Sequence, residues 1–366
     1  MAKYRRQGNI LPMLVVLGAG LGTSVLAVAS MVRANDISGG LMFNQVPSVV
    51  SSDASLDGRG VQTKQPEGVS LLFVGDIMLD REVRNRMTRS NDPAYAFENV
   101  PEGWISQFDF SVGNLEGPVT MQRRSPEKTI DFLFLPDVIP MLKAQGFDAF
   151  SQANNHAFDQ GRVGYDDSMK RLRNAGLVAF GEQANDGEQA LAFTDIKGKR
   201  FAFLGFNTTD NALDRVAAAE VIKKAKAEAD TVIVMMHWGP EYRDTPHPND
   251  VAIAHFLVDE GADMIIGGHP HWEQGISVYK GKPIAWSLGN FIFDQDWSAK
   301  TREGLALGIT VYNQKTEIEL FPLSIIRSQP AILIGEDRVI RLNDIARISD
   351  EALQEQISSG KVVLGK

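Results

Sequence analysis

From Val69 onwards, short apolar runs recur along the chain, each followed by a longer amphipathic or Ala-rich segment. The runs "VSLLFVG" (69–75), "FDFSVG" (108–113), "FDAFSQA" (147–153), "RFAFLGF" (200–206), "TVIVMMH" (231–237), "ADMIIGG" (262–268) and "KPIAWSLG" (282–289) have strand length and strand composition. Residues 136–145, 161–175, 210–229 and 248–260 predict helices. The clearest is "DRVAAAEVIKKAKAEAD", which combines strong helix formers with exposed charge. Gly146, Gly176 and Gly261 stand where helix C-terminal caps belong. Strands alternating with helices predict a layered α/β domain. The stretch "LALGITVYNQKTEIELFPLSII" (305–326) has no helix between its two apolar halves, so part of the sheet is expected to be antiparallel. The tail from Gln329 predicts one further strand and a helix over 350–358.

A different pattern rules the N-terminus. Lys3, Arg5 and Arg6 precede an uncharged run of 23 residues, 10–32. At about 1.5 Å per residue, such a helix reaches roughly 34 Å and crosses a bilayer. The basic flank places residues 1–9 on the cytoplasmic side, and everything after the run outside the cytoplasm. Ala27-Val28-Ala29 fits a small-x-small cleavage site, so the alternative to a single-pass anchor is a removed signal and a secreted domain. Residues 33–67, rich in Ser, Gly and Asp, read as a flexible linker.

Composition narrows the functions. A net charge of −9 argues against nucleic acid as a partner, since phosphate backbones are bound with excess Lys and Arg. The absence of cysteine excludes disulfides, thiolate metal sites and a cysteine nucleophile.

Candidate chemistry gathers just after the strands. One ends at Asp76, the next at Asn114 and Glu116, a third at Asn154, Asn155, His156 and Asp159, a fourth at His237 and Glu241, and a fifth at His269 and His271. In an open α/β sheet these ends share one edge, where ligands bind. Imidazole, carboxylate and carboxamide together suit Zn, Mn or Fe rather than an all-oxygen calcium site. A carboxylate between two cations can bridge them, and a pair of metals forms the clamp used in phosphoester cleavage.

The motifs "GDIMLDR", "GNLEGPV", "NNHAFDQG", "HWGPEY" and "GGHPHWEQG…SLGNFIFD" resemble those of the CapA proteins of poly-γ-glutamate capsule biosynthesis, within the calcineurin-like metallophosphatase superfamily. The resemblance spans roughly residues 69–296. It implies a four-layer αββα sandwich over 68–328, two mixed β-sheets flanked by helices, preceded by the transmembrane helix and followed by an extension over 329–366. It also implies a site for divalent ions, two in number. Asp76 binds the first and Glu116 bridges; Asn155 and His237 bind the second. His269 joins the second metal and His271 the first. His156 becomes the general acid or a transition-state stabiliser, with Asp159 beside it among the catalytic candidates. The substrate is a phosphoester or a polyanionic polymer, and the setting a capsule-synthesis membrane complex. A non-catalytic accessory role in that complex is the alternative.

Two departures from the superfamily pattern stand out. Met78 occupies the place of a histidine ligand, with Asp159 and Asn114 the nearest candidates to complete the first shell. Gly268 stands where many relatives carry another histidine.

Around these residues, plainer roles compete. Asn154 is expected to hold its turn, and Trp238 and Tyr242 either pack or touch substrate. Arg81 clamps an anion or is solvated, while Glu241 orients a ligand imidazole. His247 lies in a surface loop, His255 packs in a helix, and Asp294 and Asp296 shape a loop.

Overall fold

Side chains alternate across a strand, and β1 (Val69–Ile77) is buried on both faces. Leu71 and Phe73 enter one apolar core, Leu72 and Val74 another. The computed structural model describes residues 68–182 and 189–365. The cytoplasmic segment, anchor and linker expected over 1–67 lie outside them. No helix among the described residues is long and apolar enough to cross a membrane.

The strands that follow are β2 (Phe110–Leu115), β3 (Ala149–Ser151), β4 (Val178–Phe180), β5 (Leu191–Ile196), β6 (Lys199–Asn207), β7 (Thr231–His237) and β8 (Met264–Gly268). After them come β9 (Glu273–Tyr279), β10 (Lys282–Leu288), β11 (Asn290–Ile292), β12 (Glu303–Val311), β13 (Lys315–Ile326), β14 (Gln329–Ile332) and β15 (Lys361–Gly365). The helices are α1 (Arg81–Ser90), α2 (Val138–Ala144), α3 (Gly161–Asn174), α4 (Arg215–Glu228), α5 (Pro248–Glu260), α6 (Gly335–Arg347) and α7 (Gln354–Ser359).

Two mixed sheets result. The first runs β14-β13-β12-β1-β2-β3-β4, with β11 added beside β1 and β15 beside β13. The second runs β5-β6-β7-β8-β10-β9. The first is parallel from β1 to its edge strand β4 and antiparallel through β12, β13 and β14, whereas the second has a parallel centre between two antiparallel edges. β1 to β4 are parallel neighbours, as are β6, β7, β8 and β10. The β12–β13 hairpin is antiparallel, as its sequence leads one to expect.

Three apolar clusters hold these layers. One contains Phe73, Val112, Phe203, Ile233 and Leu307, drawn from both sheets. A second joins the other face of the first sheet to Val83 of α1, Leu142 of α2 and Leu172 of α3. The third joins Leu204 and Val234 of the second sheet to Ile222 of α4 and Leu257 of α5. β7 shows the division residue by residue, since Ile233 and Met235 face the shared core while Val232, Val234 and Met236 face the helices.

The expected helices at 136–145, 161–175, 210–229 and 248–260 are found within a few residues of those bounds. Helix α1 is not foreshadowed by the pattern, because "REVRNRMTRS" buries only Val83. It begins instead on a cap, with Asp80 Oδ1 accepting the Arg81 N–H at 2.7 Å. The tail also holds more structure than one strand and a helix at 350–358. Residues 329–365 supply β14 and β15 to the first sheet, and α6 sends Leu342, Ile345 and Ala346 into the shared core. Arg341 of α6 is buried against Glu273, with Glu303 at 3.1 Å and Asp344 at 3.2 Å.

Close strand approach sets the edge where β1 ends. The Asp76 N–H donates to Gly289 O at 3.0 Å, and a Cβ on Gly75 would lie 2.0 Å from that same oxygen. The obstacle is backbone on a buried strand, so it cannot swing aside. Gly75→Ala is expected to lower the unfolding free energy by about 3 kcal/mol, an overpacking cost. Urea denaturation of the variant against the parent checks this.

Candidate metal centre

Strand register delivers the site. Asp76 of β1 lies opposite Asn114 of β2 and Asn290 of β11, and Glu116 follows β2 by one residue. His237 is the last residue of β7 and pairs with Gly268, the last of β8. Asn154, Asn155, His156 and Asp159 occupy the connection from β3 to α3. His269 and His271 both have left-handed backbones, with φ of 93° and 57°. Such values are costly for residues with a Cβ and gather at functional sites. On either side of Pro270 they turn two histidines, one residue apart, into the same cluster.

The six expected ligands meet there. Asp76, Glu116 and His237 bring ligand atoms within 4.8 Å of one another. His271 Nδ1 is 3.4 Å from Asp76 Oδ2, and its Nε2 is 3.9 Å from Glu116 Oε1. His237 Nε2 lies 2.9 Å from Asn155 Oδ1 and 3.1 Å from His269 Nδ1. The His269 N–H donates to Asp76 Oδ2 at 3.3 Å. Beside them, His156 Nε2 is 4.0 Å from Glu116 Oε1, while its Nδ1 is 2.6 Å from Asp159 Oδ2. That carboxylate also accepts the Phe132 N–H at 2.7 Å.

The electrostatics of the cluster ask for a cation. Both carboxylate oxygens of Glu116 are buried and have no hydrogen-bond partner. Burial, with Asp76 close by, pushes the Glu116 carboxyl well above the usual carboxylate range. Burial and the neighbouring imidazoles hold His237 well below its ordinary value, and burial brings His269 down to about 3. Neutral imidazoles with exposed lone pairs, beside carboxylates short of donors, are a donor set that a divalent ion satisfies. With no sulfur ligand in the cluster, Zn, Mn and Fe fit the set.

A second ring of contacts fixes the first. Asn290 Oδ1 lies 3.0 Å from His271 Nδ1. The Asn290 amide nitrogen donates to Gln295 Oε1 at 3.1 Å and Thr301 O at 2.9 Å, so its oxygen faces the imidazole. His271 therefore carries its proton on Nδ1 and turns the Nε2 lone pair toward Glu116. Sequence reasoning gave Asn290 no role, although it stands within "SLGNFIFD". Asn154 is structural: its amide donates to Asn114 Oδ1 at 3.0 Å and Leu115 O at 2.9 Å. Asn114 in turn donates to Asp76 Oδ1 at 2.8 Å and sits 3.4 Å from His237 Nδ1.

The two departures acquire physical reasons. The Met78 sulfur accepts the Asp80 N–H at 3.1 Å within the apolar core, so it faces away from the ligands. Of the two residues expected to stand in for it, Asn114 adjoins Asp76, whereas Asp159 is engaged with His156. At Gly268 a Cβ would lie 2.8 Å from Asp76 Oδ1, which leaves no room for a histidine while Asp76 keeps this position.

Several neighbours take other roles. Trp238 packs on Trp286 and donates to its carbonyl at 2.8 Å. Tyr242 stands 6.1 Å from the His271 ring, edge-on to Trp297. Arg81 pairs with Asp294 and is not a free anion clamp, while Arg86 holds Asp296 at 2.6 Å. Glu241 is exposed rather than set behind an imidazole. His247 caps α5, accepting the Asn249 N–H at 3.2 Å, and His255 stacks on Tyr279 at 3.8 Å.

Protonation gives this arrangement a measurable sign. Ligation requires Glu116 to lose its proton, whereas His237 and His269 are already neutral. Metal affinity therefore rises with pH, and where Glu116 still holds its proton, filling the site is expected to release that one proton. Calorimetry in buffers of different ionisation enthalpy counts it. Glu116→Gln is expected to lose at least one bound ion and that proton release, checked by elemental analysis.

The site lies within a region of shared sequence. Residues 70–295 match the sequence model of the family described as "Bacterial capsule synthesis protein PGA_cap". The chain is 32% identical over 290 residues to "PGA biosynthesis protein CapA" of Bacillus subtilis, a match covering 74% of this chain and 75% of that protein. It is 32% identical over 296 residues to "Capsule biosynthesis protein CapA" of Bacillus anthracis, covering 74% and 71%. It is 28% identical over 214 residues to a Mycobacterium tuberculosis protein named "Probable polyglutamine synthesis accessory protein", covering 51% and 56%. By the extent of these matches the chain belongs to the bacterial capsule synthesis protein family PGA_cap.

Proposed function

We propose that the protein is a divalent-metal-dependent phosphoester hydrolase serving capsule-polymer synthesis, with a metallophosphatase-type αββα architecture. The observation that carries this reading is the buried, unpartnered Glu116 carboxylate, ringed by ligand atoms from both sheets. Asp76 and His271 would hold one ion and Asn155, His237 and His269 the other, with Glu116 shared. A bound metal pair supplies positive charge to the transferring phosphoryl group and acidifies a water nucleophile. The protein's own contribution is placement and proton transfer. Asp159 accepts from His156 Nδ1 and so points Nε2 toward the Glu116 side of the cluster. From there a proton on Nε2 passes to the departing alkoxide oxygen.

The basic flank and the uncharged run of residues 10–32 support a domain held outside the cytoplasm, anchored at the membrane or released by signal cleavage. There it acts beside a polyanionic polymer, within a capsule-synthesis membrane complex. A second reading, a non-catalytic accessory component, is favoured by Met78, which removes one ligand from the first metal's shell.

Assay of the full chain with Mn, Zn and Fe on phosphomonoesters and phosphodiesters separates the two. Turnover is expected with at least one metal. His156→Ala is expected to lower kcat by about 10²–10⁴-fold with metal content retained. Bound metal without turnover in any loading selects the accessory role.

A further inference from the structure

The C-terminal extension reaches the candidate metal centre without touching it. Helix α6 lies beyond residues 70–295, the stretch that matches the family's sequence model. The segment after α6 runs along β9, the edge strand of the second sheet. Ser349 Oγ accepts the Ile276 N–H at 2.9 Å, Asp350 Oδ2 accepts the Val278 N–H at 2.8 Å, and the Asp350 N–H donates to Ile276 O at 3.0 Å.

Arg341 of α6 grips the first residue of that strand. Its Nη2 donates to Glu273 Oε2 and stands 3.1 Å from Glu303 Oε2. One nitrogen thus serves carboxylates from both sheets, since Glu273 opens β9 and Glu303 opens β12. Both strands lead back to the same imidazole. Glu273 is two residues past His271. Glu303 is two residues past Thr301, whose carbonyl accepts from the Asn290 amide at 2.9 Å, and Asn290 Oδ1 faces His271 Nδ1 at 3.0 Å. Between the two strands Gly289, next to Asn290, bridges to Gly304 and accepts the Asp76 N–H at 3.0 Å.

Stability does not account for this cation. Arg341 and Glu273 are buried, and Arg341 Nε and Glu273 Oε1 have no hydrogen-bond partner. A buried ion pair with unmet groups is a weak source of stability, and apolar side chains of similar volume often replace one without loss. What the pair supplies is a fixed separation. Without the guanidinium, two carboxylates would face each other and repel, parting the starts of β9 and β12. His271 between them has a left-handed backbone, which persists only where its surroundings over-determine it. We infer that Arg341 is a positioning residue for the metal centre, holding the strand after His271 against the strand after Thr301 so that Asn290 keeps the imidazole aimed. The inference rests on the reading above only in taking His271 as a ligand; it does not require phosphoester hydrolysis.

The test labels the six histidines of the full chain with 15N and reads the His271 tautomer by NMR without added metal, the signal being assigned with His271→Gln. The parent is expected to carry the proton on Nδ1. Arg341→Gln is expected to mix in the Nε2–H tautomer and to raise the Kd for Mn about fivefold or more, just below the roughly 10- to 100-fold cost of losing an outer-shell partner outright. Leu342→Ala, at the next residue of α6 and within the apolar core, is expected to lower Tm and leave tautomer and Kd as they are. An unchanged tautomer and Kd in folded Arg341→Gln, or an equal change in Leu342→Ala, overturns the inference. If Arg341→Gln does not fold, Glu303→Gln, at a half-buried position, takes its place with the same expected and the same overturning result. A parent that binds no Mn removes the metal reading, and the tautomer comparison still decides whether Arg341 positions His271.

Discussion

A buried carboxylate with no donor in reach is among the most unfavourable groups a protein can carry, unless a cation stands in for the missing partners. Glu116 is in that position, with both oxygens unpartnered. Asp76 beside it adds like charge, and His237 and His269 are held neutral by burial and by neighbouring imidazoles. Nothing within the cluster relieves Glu116, because the amide nitrogens nearby are committed to other acceptors. Asn114 donates to Asp76, and Asn154 to Asn114 and Leu115. The fold thus concentrates an unmet electrostatic demand at one edge of its sheets, and the site's chemistry follows from how that demand is met.

Such crowding needs backbones that approach closely. Gly75 allows β1 to lie against the Gly289 carbonyl, and Gly268 leaves space beside Asp76 that any Cβ would occupy. His269 and His271 accept left-handed conformations that free residues avoid. These strained positions persist because the layers around them are fully packed, with apolar clusters on both faces of each sheet. Stability spread through the cores therefore sustains local strain at the edge, and the candidate ligands depend on residues that never touch them.

Apart from the three-residue β4 and β11, the parallel strands are legible in the sequence, as are most of the helices, because buried strands give continuous apolar runs and α4 and α5 alternate helix formers with charge. The candidate ligands were readable for a related reason. Chemistry placed at strand ends leaves a polar residue directly after an apolar run, as at Asp76, His237 and His269. Other features left no such mark. Helix α1 is polar almost throughout and depends on the Asp80 cap. Helix α6 leaves Val339 and Ile340 exposed, which blurs its apolar face, and its buried Arg341 reads as surface until Glu273 and Glu303 are brought to it from distant strands. The part played by Asn290 depends on a rotamer fixed by Gln295 and Thr301, which is a three-dimensional fact.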